Sequence, residues 1–148
     1  MVHALEEIRR LLKPGGCLID IHPIREAKLI KVHHGNKILF AEPDPSYCGE
    51  DIKKAEEALA QVIQCGLFIT ERDDQFDLPI YASSVAELQD FFAEIEAYDD
   101  SPKDETVEAR MMELFTRVGE IMKTTGNEVE VAYHERARIT RLNPNPRQ

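Results

Sequence analysis

Apolar residues recur at two periods along this chain, and the switches between them outline the expected elements. Leu5, Ile8, Leu11 and Leu12 fall at helical spacing, with Glu6, Glu7, Arg9 and Arg10 on the other side, so the chain opens in an amphipathic helix. Glu6 precedes Arg10 by four residues, the favourable order for a helical ion pair. Pro14 ends that helix, and Gly15-Gly16 permit a reversal that a β-branched residue would resist. The run Cys17-Leu18-Ile19-Asp20-Ile21 is apolar but for one acid, which predicts a strand covered on both faces; His22-Pro23 closes it. No Ser, Thr, Asp or Asn stands ahead of Leu5 to cap the helix, so the pattern reads as a helix entered midway, as in a chain derived from a longer one.

Further on, residues 29–32 and 37–40 flank His33-His34-Gly35-Asn36 and predict a β-hairpin with its tip at the histidines. Residues 42–49, with two prolines, read as a loop. Asp51 is placed to cap a helix reaching Cys65, with Ile52, Ala55, Leu59, Val62 and Ile63 as its stripe and Gly66 as its stop. A strand is expected over 67–70, a polar turn or bulge over 71–75, and extended chain again over 76–82. Ser84-x-x-Glu87 is a capping box, opening a helix with Val85, Leu88, Phe91, Phe92 and Ile95 on one side. Residues 99–101 interrupt the period, and Ser101-Pro102 predict the start of the longest helix, which Gly126-Asn127 stop. Its stripe contains Met111 and Met122, expected to fill core. Val129, Val131 and Tyr133 then alternate with Glu130, Ala132 and His134, and the pattern resumes through Ala137 and Ile139, a long strand with one buried face. Residues 143–148 read as a flexible tail, leaving one domain over 1–142.

At 148 residues, with 43% hydrophobic and 31% charged residues, the chain fits one ordinary globular domain. No apolar run approaches the ~20 residues that span a bilayer, and no signal-peptide pattern stands at the front, so the expectation is a cytoplasmic protein with no membrane partner. A net charge of −10 argues against nucleic acid, whose affinity comes largely from Lys and Arg. Cys17, Cys48 and Cys65 are odd in number and widely spaced, which points to reduced thiols rather than a disulfide framework or zinc site. His33-His34 lack a third ligand at a recognised spacing, so an exposed turn is expected there and no metal. Arg136, Arg138, Arg141 and Arg147 are expected on a solvated strand face or in ion pairs to the acidic helices, ahead of an anion site.

The stretch 5–23 resembles the helix, Pro-Gly-Gly turn and fifth strand of class I S-adenosylmethionine-dependent methyltransferases. The residues that carry the resemblance are Leu5, Glu7-Ile8 and Arg10-Leu11-Leu12-Lys13-Pro14-Gly15-Gly16, followed by the strand run. Phe76-Asp77 and Ser84-Val85-Ala86-Glu87-Leu88 are similar to one subgroup of that family. The resemblance implies an α/β fold with an α+β-like mixed sheet, the C-terminal half of a Rossmann-like methyltransferase, with three to five strands and about four helices. It implies methyl transfer from S-adenosylmethionine to an acceptor. The family's Gly-rich cofactor loop has no counterpart in this sequence. The resemblance therefore implies an acceptor-side half, inactive alone and not expected to bind S-adenosylmethionine by itself.

Site expectations follow from that placement. Asp20 and His22 lie towards the carboxyl end of their strand, where open α/β sheets bind ligands. His22 serves there either as a general base or as a packed residue bonded to backbone. Tyr47, Phe68, Phe92 and Tyr133 are the candidate lining of an acceptor pocket, with Cys48 beside Tyr47 as a further candidate. In the family the fifth strand lies between the fourth and the seventh. With no fourth strand, the edge formed by Cys17 through Ile21 would be free, which predicts a homodimer through that edge or by swapped helices, or completion by a separate cofactor-binding chain. Two alternatives remain open: a dimeric module binding a small apolar or aromatic ligand, and an interaction subunit whose acidic helices dock a basic partner.

Overall fold

The computed structural model describes residues 2–97, 104–126 and 128–146, apart from the side chain of Glu96. The elements, in chain order, are α1 (Val2–Leu11), β1 (Leu18–Pro23), β2 (Leu29–His34), β3 (Lys37–Pro43), α2 (Glu50–Gln64), β4 (Phe68–Ala82), α3 (Val85–Glu96), α4 (Glu105–Thr125) and β5 (Val129–Pro144). The fold is mixed α/β. Its strands form one five-stranded sheet in the order β1-β5-β2-β3, with β4 also on β5. β1 runs antiparallel to β5 from Leu18↔Leu142 to Pro23↔Ala137, and β2 runs antiparallel to both β3 and β5. The open parallel sheet that would bring ligands to strand carboxyl ends is therefore not the arrangement here.

The chain divides into two compact units. The first comprises Met1–Glu26, Gly49–Asp77 and Arg136–Gln148. Its core is Leu5, Leu59, Val62, Phe68 and Leu142, joined by Val2, Ile8, Leu12, Leu18, Ile63 and Leu67. α1 and α2 thus apply their stripes to the side of the sheet that carries Leu18 and Leu142. Between α1 and β1 the chain turns through Gly15 at φ +77°, a backbone state that favours glycine, and Gly16 N–H donates to the Lys13 carbonyl at 2.8 Å.

The second unit comprises Ala27–Cys48 and Leu78–Glu135. Ile30, Val32, Leu88, Leu114, Phe115, Val118, Val131 and Tyr133 pack together there, with Phe91 and Phe92 against them. The hairpin forms as the spacing predicts, but its turn is Gly35-Asn36, and His33 and His34 belong to β2. His33 meets the Tyr81 ring edge-on at 5.8 Å. Ser84 caps α3 by accepting from Glu87 N–H, while the Glu87 carboxylate reaches back to Ser83. Those hydrogen bonds, from the Ser83 hydroxyl first and its N–H second, hold Glu87 below the usual carboxylate pKa.

Several boundaries differ from the pattern reading, each for a physical reason. β4 is one continuous strand, because the acids that read as a turn over 71–75 are met by arginines: Glu71 by Arg141 at 2.9 Å and Asp73 by Arg138 at 3.1 Å, with Asp77 near Arg136 at 3.6 Å. Among the described residues these arginines of β5 thus pair with acids of β4, and Arg136 also with Glu26. Gly49, at φ +69°, precedes α2 as its cap residue, so Asp51 lies inside the first turn. β5 continues through Asn143 and Pro144, two residues past the expected tail boundary. β1 is covered on one face only: Ile19 is 47% and Ile21 59% exposed. Ser101-Pro102, Asn127 and Arg147 lie outside the described residues; α4 takes its cap from Asp104, whose carboxylate accepts from Thr106 N–H.

Candidate functional site

The inside and outside of β1 are reversed relative to polarity. The two isoleucines face outward, whereas Asp20 and His22 point to the side occupied by α2, with side chains 28% and 12% exposed. The β1–β5 register sets Asp20 opposite Thr140 and His22 opposite Arg138, so all four side chains share one face. Glu56, Leu59, Ala60 and Ile63 of α2 and Thr70 and Asp73 of β4 close a cavity of about 140 Å³ over His22, Arg138 and Thr140.

The contacts within this group are directional. His22 Nδ1 lies 2.5 Å from Asp20 Oδ2. A carboxylate at Nδ1 favours the tautomer with its proton on that nitrogen, which leaves Nε2 as the proton acceptor. Nε2 is buried and has no hydrogen-bond partner among the described residues. Thr140 Oγ1 donates to Asp73 Oδ1 at 3.3 Å. Arg138 Nε is 3.1 Å from the same oxygen, an ion pair whose N–H is not aimed along the contact. The cavity therefore contains an oriented imidazole with a free acceptor nitrogen, a cation and two acids. At roughly 30 Å³ of liquid per water, it takes a hydroxyl-sized group and a few waters, and not a whole aromatic acceptor.

Of the four candidate pocket residues, three belong to the second unit and Phe68 to the first. Phe68 is fully buried in the core of the first unit. Phe92 and Tyr133 meet in the second, ring centroids 4.9 Å apart, and Lys28 Nζ sits 5.6 Å from the rings of both Tyr47 and Tyr133. Lys28 also pairs with Glu135 at 2.7 Å. Beside them Tyr133 donates its hydroxyl to Asp44 Oδ2 at 3.1 Å, and Asp44 Oδ1 accepts from the N–H and hydroxyl of Ser46. Burial, and then the Asp44 charge, push the Tyr133 phenol well above its ordinary pKa. Tyr133 is thus a core residue with the partly buried Phe92 packed against it, and Asp44 is the buried acid that satisfies the tyrosine.

Pattern reading found Asp20 and His22 but not Arg138, Thr140, Asp73 or Glu56 around them. Alternation along β5 did carry the signal: Arg138, Thr140 and Leu142 fall on one face, a polar pair leading into an apolar position. The second unit also carries an apolar groove of about 640 Å³, lined by Val85, Met112, Phe115, Gly119 and Met122 with Ser83 and Lys123 among its polar residues. No group of three or more potential metal ligands occurs among the described residues. No helix among them is long and apolar enough to cross a membrane. No family model, curated protein or solved structure matches the chain.

Proposed function

We propose that this chain is the acceptor-side half of a methyltransferase-like, Rossmann-like fold and does not bind S-adenosylmethionine by itself. The neighbour of β1 is the observation that carries the reading. The resemblance over 5–23 makes β1 the fifth strand and β5 the seventh, and the family puts those two side by side. β1 pairs with β5 over six residues, and among the described residues no strand meets its other edge, where the family has its fourth strand. Asp20 and His22 are the acid–base candidates: Asp20 orients the imidazole, and Nε2 accepts a proton from an acceptor hydroxyl presented to the cavity. Methyl transfer itself depends mainly on in-line positioning, so this pair would assist acceptor deprotonation and little else.

Calorimetric titration with S-adenosylmethionine tests the reading in two arms. The chain alone is expected to give no binding heat. A chimera that joins the first four strands of a class I methyltransferase to Val2 is expected to bind. Low-micromolar binding by the chain alone, or a folded chimera that fails to bind, overturns it. The apolar groove in the second unit favours a second reading, a binding module for a small apolar ligand. Gly119 has only Val85 Cγ2, at 3.7 Å, near where a side chain would start, so Gly119→Leu would fill the groove and abolish uptake of an apolar fluorescent probe on that reading.

A further inference from the structure

The edge of β1 that no strand meets among the described residues has a definite hydrogen-bonding parity. Ile24 N–H donates to the Arg136 carbonyl at 2.9 Å, continuing the register Pro23↔Ala137 by one residue. In an antiparallel ladder hydrogen-bonded pairs alternate with non-bonded ones, so Leu18, Asp20, His22 and Ile24 direct their backbone groups to β5. Ile19, Ile21 and Pro23 therefore direct theirs outward. Pro23 has no N–H and fits such a position without breaking the ladder. The outward row is thus Ile19 N–H and C=O, Ile21 N–H and C=O, and the Pro23 carbonyl, and the side chains of the same two isoleucines stand exposed beside it.

We infer that β1 is a self-pairing edge and that its occupant is β1 of a second copy, antiparallel across a two-fold axis at Ile21. Opposed residues in an antiparallel pair share a face, so a two-fold axis normal to the sheet must pass through a residue pair and not between residues. An axis at Asp20 sets two carboxylates opposite each other, an unfavourable pair. An axis at Ile21 sets Ile21 against Ile21 and Asp20 against His22 of the second copy, opposite in charge whenever the imidazole is protonated. It also gives reciprocal Ile21 N–H to Ile21 carbonyl bonds and lets each Ile19 N–H donate to a Pro23 carbonyl. The Asp20 and His22 pair lies at a non-bonded position, where Cα atoms approach to about 4.5 Å and side chains are closest. The inference stands on this edge alone, independent of methyl transfer.

Light scattering on the intact chain at about 10 µM reads the state directly: twice 16.9 kDa is expected, and a monomer overturns the inference. Ile21→Pro removes an outward N–H while sparing the β1–β5 ladder, and Ile21→Lys sets two ammonium groups together. Each is expected to give a monomer with unchanged far-UV circular dichroism. A folded variant that stays dimeric overturns the edge assignment. Register is read by Ile21→Cys and Ile19→Cys with Cys17, Cys48 and Cys65 replaced by Ser. Opposed Cα atoms about 5.5 Å apart lie within disulfide reach, so Ile21→Cys crosslinks and Ile19→Cys does not. Equal crosslinking of both, or of neither, overturns the register. A dimer without any response to S-adenosylmethionine would leave this inference intact and remove only the proposed function.

Discussion

Each unit draws on one half of β5, and the two halves do opposite work. In the second unit Val129, Val131 and Tyr133 enter an aromatic-rich core, where the tyrosine hydroxyl is matched to Asp44 and Lys28 to Glu135, although His33 Nε2 is buried with no hydrogen bond among the described residues. In the first unit Arg136, Arg138 and Arg141 line up against acids of β4, and only Leu142 joins the main core cluster. The Tyr133–Asp44 contact ties that core to one arrangement. In the first unit the unpartnered nitrogen of His22 lies in a cavity that Arg138 and Asp73 also line, and Ile19, Ile21 and Ile69 stand exposed. One half of β5 thus fills a core, and the other brings charged groups around a cavity.

The largest expected effect tests the smaller core. Phe68→Ala removes a fully buried ring and should cost about 3–5 kcal/mol in denaturant unfolding. Hydrogen exchange should show the loss first in amides 68–77 and 136–142; protection retained there would mean that the first unit does not depend on this ring. Next comes Tyr133→Phe, which leaves the Asp44 carboxylate without its buried donor and should cost roughly 1–3 kcal/mol. The same variant has a pH signature. The folded phenol titrates above the unfolded one, so its contribution is full below about pH 10 and declines as pH rises beyond it, because only the unfolded tyrosine ionises there. Tyr133→Phe should remove one proton's worth of alkaline slope; an unchanged slope would show that Tyr133 does not carry it. The smallest effect is Arg141→Ala. Its partner Glu71 and the arginine itself are nearly half exposed, so thermal melting should move by no more than about 1 kcal/mol equivalent, shrinking further in high salt.

Helices were legible because their stripes are local: Val85, Leu88 and Phe92 needed no partner to be recognised. The continuity of β4 was not, since Glu71, Asp73 and Asp77 look like turn chemistry until the arginines of β5, more than 55 residues on, stand beside them. The apolar run of β1 announced a strand but read as covered on both faces, and in the fold Ile19 and Ile21 took the outside. Asp20 and His22 could be singled out by type. Thr140 and Asp73 could not, because only the register brings them to the same cavity. The Asp44 contact was hidden in a proline-containing stretch, with its tyrosine 89 positions away.

The acid-rich strand β4 has a consequence for growth of any assembly. Along it stand Glu71, Arg72, Asp73, Asp74, Asp77 and Pro79, and charges and proline on a strand discourage accretion of another chain. β1, by contrast, carries no lysine or arginine to ward off an incoming ribbon. The two-fold pairing inferred for β1 would use up that edge in both copies. The outer strands left over, β4 with its charges and β3 with Lys37, Glu42 and Pro43, would resist a third chain, so filaments would not be the molecule's fate.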